Sequence, residues 1–158
     1  MTRINADLPP AILTDQHLFA EYREIRRLPK NLLKSLSGKS QADLIKDIPA
    51  DFRLGTGHVK FFYDKGQFLI NRYALLRHEL VQREYRLNDD GIFDNLGVYE
   101  QYPVFLGTAG YAFSHQSRSL IIERIMERIR DKPHFYTLRK LPIETSRYYA
   151  LLKTCAAQ

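Results

Sequence analysis

Glycine and proline punctuate this chain so that three long stretches remain in which apolar residues recur at helical spacing. The first is capped by Thr14 or Asp15 and runs to about Leu28, with Pro29 ending it, kinking it or opening a following turn. The second covers about Asp64 to Tyr85, with Phe68, Leu69, Leu75, Leu76 and Leu80 as its apolar face. The third starts from Ser114, a good N-cap, and continues to about Arg130 with Leu120, Ile121, Ile125 and Ile129 inward; Pro133 stops it. Asn31 to Ser37 forms a short piece ended by Gly38, and Ile143 to Thr154 a short final helix carrying Tyr148, Tyr149, Leu151 and Leu152. Pro49, Gly55 and Gly57 reduce the stretch from Ser40 to His58 to loop with at most short helical turns. Gly91, Gly97, Pro103, Gly107 and Gly110 make Leu87 to Gly110 a long surface excursion. The predicted fold is all-α, a compact single domain of three main helices with long irregular connections.

A length of 158 residues suits one domain with a real core and one active site. Lys and Arg number 24 against 18 Asp and Glu, a formal net charge of +6. That excess favours a polyanionic partner, although a merely basic soluble protein fits it as well. No run approaches the roughly 20 apolar residues of a membrane span, and no signal-peptide core is visible. The expectation is a soluble, cytoplasmic protein that does not engage a membrane. Cys155 is the single cysteine, which excludes a disulfide framework and a thiolate zinc cluster. His58, His78, His115 and His134 show no ligand spacing, so no metal site is expected. Gly55-Thr56-Gly57-His58 lacks the Lys-Ser/Thr and preceding strand of a phosphate-binding loop.

At about 100° per residue, Leu18, Tyr22 and Ile25 share one side of the first helix, while His17, Glu21, Arg23, Glu24 and Arg27 fall on the other. Such a face can be solvated surface, its i,i+4 pairs each worth about 0.2–0.5 kcal/mol. It can equally bind phosphate, because Arg23, Arg26 and Arg27, with Arg3 from the N-terminus, offer planar forks that match phosphate oxygens. Glu24 among these cations would stay ionised. His17 reads either as a hydrogen-bonded surface group or as a donor to a ligand. The small residue at position 2 allows the initiator Met1 to be trimmed, which exposes the α-amine of Thr2 as a nucleophile.

These segments together resemble the pyrimidine-dimer DNA glycosylase/AP lyases of the phage endonuclease V type. The resemblance runs through Met1-Thr2-Arg3-Ile4-Asn5, Asp15-Gln16-His17-Leu18 and Ala20-Glu21-Tyr22-Arg23-Glu24. It returns in Leu54-Gly55 and in Gly57-His58-Val59 followed by Phe61-Phe62-Tyr63-Asp64-Lys65. The third helix joins it through Arg124, Arg128 and Lys132-Pro133, whereas residues near 87–110 and 141–158 stand as an insertion and a C-terminal extension.

The resemblance implies a mainly helical domain whose N-terminal segment threads between helices, and a reaction that needs no metal or cofactor. In that reaction the neutral Thr2 amine attacks C1′ of the 5′ nucleotide of a cyclobutane pyrimidine dimer. The base leaves, an imine forms, and β-elimination cuts the strand on the 3′ side. An α-amine suits this, since its reference pKa of about 7.7–8.0 leaves a neutral fraction that a lysine near 10.4 lacks. Glu24 carries over as the catalytic carboxylate, Arg3, Arg23 and Arg27 as phosphate clamps, His17 as a polar contact at the lesion, and Arg124 and Arg128 as a grip on the DNA backbone. The implied partner is double-stranded DNA holding pyrimidine dimers or abasic sites, bound by a monomer and kinked with a nucleotide flipped out.

Two departures stand against the pattern. The family's C-terminal cluster of Trp, Tyr and Lys is replaced by Pro133-His134-Phe135-Tyr136-Thr137-Leu138-Arg139-Lys140, and Arg26 replaces a proline, which predicts a first helix running unbroken toward Pro29. The first departure keeps open the same imine chemistry on another damaged or modified base, and the basic face alone also fits a non-catalytic DNA-binding protein on this fold. Phe61-Phe62-Tyr63 reads as core packing at the entry to the second helix.

Overall fold

The computed structural model describes residues 4–107 and 111–158. Thr2 and Arg3 therefore lie outside the described residues. The architecture is all-α, with α1 Asp15–Ile25, α2 Leu28–Leu36, α3 Gln41–Lys46, α4 His58–Phe61, α5 Gly66–Gln82, α6 Val98–Gln101, α7 His115–Asp131 and α8 Thr145–Ala156. A two-stranded antiparallel hairpin, β1 Thr137–Leu138 and β2 Leu141–Pro142, pairs Thr137 with Pro142 and Leu138 with Leu141. Arg139 and Lys140 make its two-residue turn at φ +50 and +67, the backbone shape that matches the strands' twist.

Thr14 caps α1 by accepting from the His17 amide, and Ser40 and Ser114 cap α3 and α7 in the same way. The first helix does not run on through Arg26. It stops at Ile25, Arg26 and Arg27 turn the chain, and Pro29 sits in the first turn of α2, where its missing N–H removes no helical bond. Of the roles the sequence left open to Pro29, it takes the last, opening the turn that follows.

α1 packs against α5, and α7 against α8. Glu21, placed on the ionic face by the sequence reading, is completely buried in the α1/α5 contact. Arg72 of α5 grips it through Nε (2.7 Å) and Nη2 (3.1 Å) and donates Nη1 to the Leu8 carbonyl (2.6 Å). Two further assignments change: Leu75 is 55% and Leu120 36% exposed, so α5 turns Arg72, Tyr73 and Glu79 inward beside Leu69, Leu76 and Leu80. Buried arginine–carboxylate pairs replace part of the apolar stripe, which is why hydrophobic periodicity misjudged this face.

The excursion after Leu87 is mostly irregular and at the surface, but it sends four side chains into the core. Phe93, Val98, Tyr99 and Phe105 are buried, α6 packs on α2, and the Asp89 carboxylate accepts from Tyr22, Tyr73 and Arg77. Glycines on both sides allow close approach: a Cβ on Gly66 of α5 would fall 2.5 Å from the Tyr99 ring, and one on Gly107 would fall 2.2 Å from the Asp64 carbonyl oxygen. Phe61, Phe62 and Tyr63 are buried, with Phe52 and Phe113 closing an edge-to-face aromatic cluster around the two phenylalanines.

The N-terminal segment runs between these helices. Ile4, Ala6, Leu8 and Leu13 are fully buried, Asn5 donates to Glu21 (2.9 Å), and Asp7 pairs with Arg118 of α7 (2.6 Å). No helix among the described residues is long and apolar enough to cross a membrane.

Candidate active site

A cleft of about 700 Å³ opens between the exposed side of α1 and the C-terminal half of α7. His17, Ala20 and Arg23 line it from α1, Arg124, Ile125 and Arg128 from α7, and Phe19, Tyr85, Phe135 and Tyr136 supply aromatic surface. Asn5 also reaches it, so the buried N-terminal segment comes to the cleft's edge. Of the residues singled out from sequence, the structure brings His17, Arg23, Arg124 and Arg128 together here, although more than 100 residues separate the two pairs in the chain.

His17 sits flat against Tyr136, ring centroids 4.8 Å apart. The Thr14 hydroxyl oxygen accepts from the His17 amide and lies 2.6 Å from Nδ1, a hydrogen bond in which either the hydroxyl or the ring nitrogen donates according to the ring's tautomer. Burial and the nearby Arg128 guanidinium bring the imidazole down to about 4. At neutral pH His17 is therefore uncharged.

The start of α1 is fastened to the hairpin. Burial pushes the Asp15 carboxyl up, but bonds from the Thr137 hydroxyl (2.6 Å), the Lys140 amide (2.8 Å) and Arg83 (2.8 Å) outweigh that and hold it below its ordinary value. Gln16 adds a bond from the Thr137 amide (3.0 Å). This fastening carries Tyr136 to its place on His17 and brings Lys140 over the Tyr85 ring (5.0 Å). Lys132 lies over Phe135 at the rim (5.5 Å), which is itself 55% exposed.

Glu24 and Arg27 are not among the residues lining the cleft. Glu24 is half-buried at the last turn of α1, and Arg27 is exposed just after it, its amide donating to the Glu24 carbonyl (3.0 Å). Arg26 covers the Tyr22 ring (5.3 Å). Among the described residues no group of three or more His, Cys, Asp or Glu side chains could hold a metal ion.

Sequence reasoning passed over Asp15, Glu21, Lys132 and Tyr136 as contributors. Glu21 could have been found, since it stands three residues after Leu18 and four before Ile25 on the buried side. Tyr136 could not, because its stacking depends on a hairpin held by side-chain bonds to α1. Chemically the cleft presents guanidinium and ammonium groups for phosphate, π surface for a planar ring, and a neutral imidazole between them. The family model described as pyrimidine dimer DNA glycosylase matches residues 1–92, which include Thr2, Arg3, His17, Arg23, Glu24 and Arg27.

Proposed function

The chain belongs to the pyrimidine dimer DNA glycosylase family, a class of DNA repair enzymes, and on that premise we propose that it removes cyclobutane pyrimidine dimers and then cuts the strand at the resulting abasic site. The observation that carries this reading is that the family match spans both Thr2 and Glu24 on a chain whose α1 and α7 arginines converge on one aromatic-walled cleft.

Thr2 Nα is the nucleophile once Met1 has been removed. Its lone pair attacks C1′, the C1′–N bond breaks, and the electrons leave on the pyrimidine. Glu24 stabilises the positive charge that develops at the sugar and assists the proton transfers by which the ring opens to an imine. Loss of a C2′ proton then expels the 3′ phosphate. Arg3, Arg23 and Arg27 hold phosphates at the lesion, and Arg124 and Arg128 hold the backbone across the cleft. His17 contributes a polar contact at the lesion, donating from Nε2 in the tautomer whose Nδ1 accepts from the Thr14 hydroxyl. Phe19, Tyr85 and Tyr136 suit stacking with a nucleotide turned out of a kinked duplex, a deformation made cheaper where the damaged step is already poorly stacked. The protein works as a monomer and accepts abasic sites directly.

The test is borohydride reduction of the untagged protein mixed with a duplex holding one cyclobutane thymine dimer, followed by mass spectrometry of the linked peptide. An adduct on Thr2 supports both lesion and mechanism. An adduct with an abasic-site duplex alone keeps the lyase and rejects the lesion, and no adduct on either favours a DNA-binding protein without this chemistry.

A further inference from the structure

We propose that His58 is a positioning residue for the amine reaction: its imidazole clamps the backbone at Ile4 and so fixes the point from which the Thr2 amine reaches the substrate. The inference rests on the amine reading above and adds to it a residue outside the cleft.

The Ile4 amide donates to His58 Nε2 at 3.0 Å, while Nδ1 lies 2.8 Å from the Arg53 carbonyl oxygen. A carbonyl can only accept, so Nδ1 carries the proton and Nε2 presents its lone pair to Ile4. One tautomer therefore serves both bonds, and a doubly protonated ring would break the one to Ile4. His58 is 1% exposed, and Phe52 and Phe62 meet its ring edge-on at 5.5 and 5.4 Å, so the imidazole is held in one orientation. Gly57, at φ +88, makes the turn that starts α4 at His58. The Gly55-Thr56-Gly57-His58 run thus has a use in placing the imidazole.

Further along, Asn5 is held by Glu21 and the Leu8 carbonyl by Arg72, so the segment is fastened to three helices before it turns into α1. His58 holds it nearest to Thr2 among these bonds. Two peptide units separate Thr2 from Ile4, which confines the amine to within about 9 Å of the Ile4 Cα. A misplacement of roughly 1 Å in a reacting group can lower a rate about 100-fold. A clamp at Ile4 is therefore well placed to govern imine formation without touching DNA.

Two substitutions separate positioning from a general structural role. In His58→Asn the amide nitrogen stands where Nδ1 stood and keeps the Arg53 bond, but the side chain ends short of Ile4. In His58→Gln the carbonyl oxygen reaches Ile4 and the Arg53 bond is given up. Each is assayed by single-turnover borohydride trapping on an abasic-site duplex, by binding to that duplex, and by hydrogen exchange at the Ile4 amide. The expected result is that Asn frees Ile4 and slows trapping about tenfold or more with binding within about twofold, whereas Gln keeps Ile4 protected and traps within about threefold of the wild type. Asn freeing Ile4 while trapping at the wild-type rate would overturn the clamp and leave the amine mechanism standing. Equal losses of trapping and binding in both variants would also overturn it. A wild-type protein that forms no adduct would overturn the amine reading, and the clamp with it.

Discussion

The imidazole of His17 and the phenol ring of Tyr136 lie within 4° of parallel, 119 positions apart in the chain. This stacking buries a titratable ring beside Arg128 and gives a pH signature. Unfolded, His17 takes up its proton near the ordinary 6.5; folded, it does so only at about 4. Between those values the unfolded chain binds more protons, so stability is complete above pH 6.5 and declines as pH falls toward 4. The loss reaches at most about 3 kcal/mol. Chemical denaturation across this window should show the decline in the wild type and a flatter profile in His17→Phe; identical slopes would refute the assignment.

Arg128 acts on the same ring and, in the proposed function, also holds the DNA backbone. Arg128→Ala should raise the His17 midpoint toward its ordinary value, read directly as the imidazole proton resonance in an NMR titration. It should also weaken DNA binding about equally for damaged and undamaged duplex, and flatten the dependence of log K on log salt by about 1, as should Arg124→Ala. An unchanged salt slope in both variants would remove α7 from the interface.

Glu21 and Glu24 are three residues apart on one helix and are predicted to fail differently. Glu21 is wholly buried with Arg72, and Glu21→Gln breaks a two-pronged pair while leaving the guanidinium without its counter-charge. Loss of one partner of such a pair costs about 3–5 kcal/mol, which for a chain of this size lowers Tm by roughly 6–20 °C. Differential scanning calorimetry measures it. A shift below about 2 °C would mean that the pair contributes little to holding α1 on α5.

The three long helices were legible because each has an apolar repeat, joined in α1 and α7 by a capping Thr14 or Ser114, and the N-terminal segment because the family resemblance implied its threading. What escaped was decided by partners distant in sequence. Glu21 looked like surface because its neutralising Arg72 lies 51 positions away, and the glycine-rich loop after Leu87 gave no local sign that Phe93, Val98, Tyr99 and Phe105 enter the core, where Gly66 leaves room for Tyr99. Asp15 looked like a mere helix cap, yet it holds the hairpin that brings Tyr136 to the cleft. In the candidate site, residue types on α1 and α7 were readable separately, but their convergence was not, since no local pattern encodes which helix faces meet.

The amine and the carboxylate give the sharpest prediction. Simple phosphate binding needs neither group, so damage to them should separate turnover from binding. Glu24→Gln should abolish base release from a dimer-containing duplex while leaving affinity within about twofold, because the lost charge is needed where positive charge develops at the sugar. Retention of Met1, or any N-terminal tag, should have the same effect by a different route: it converts the Thr2 amine to an amide, and an amide nitrogen has no lone pair to offer C1′. Removal of the tag by a protease that leaves Thr2 first should restore cleavage, and the restored enzyme should again be trapped by borohydride. A tagged protein that cuts as fast as the trimmed one would exclude the N-terminal amine as nucleophile and turn attention to a lysine side chain.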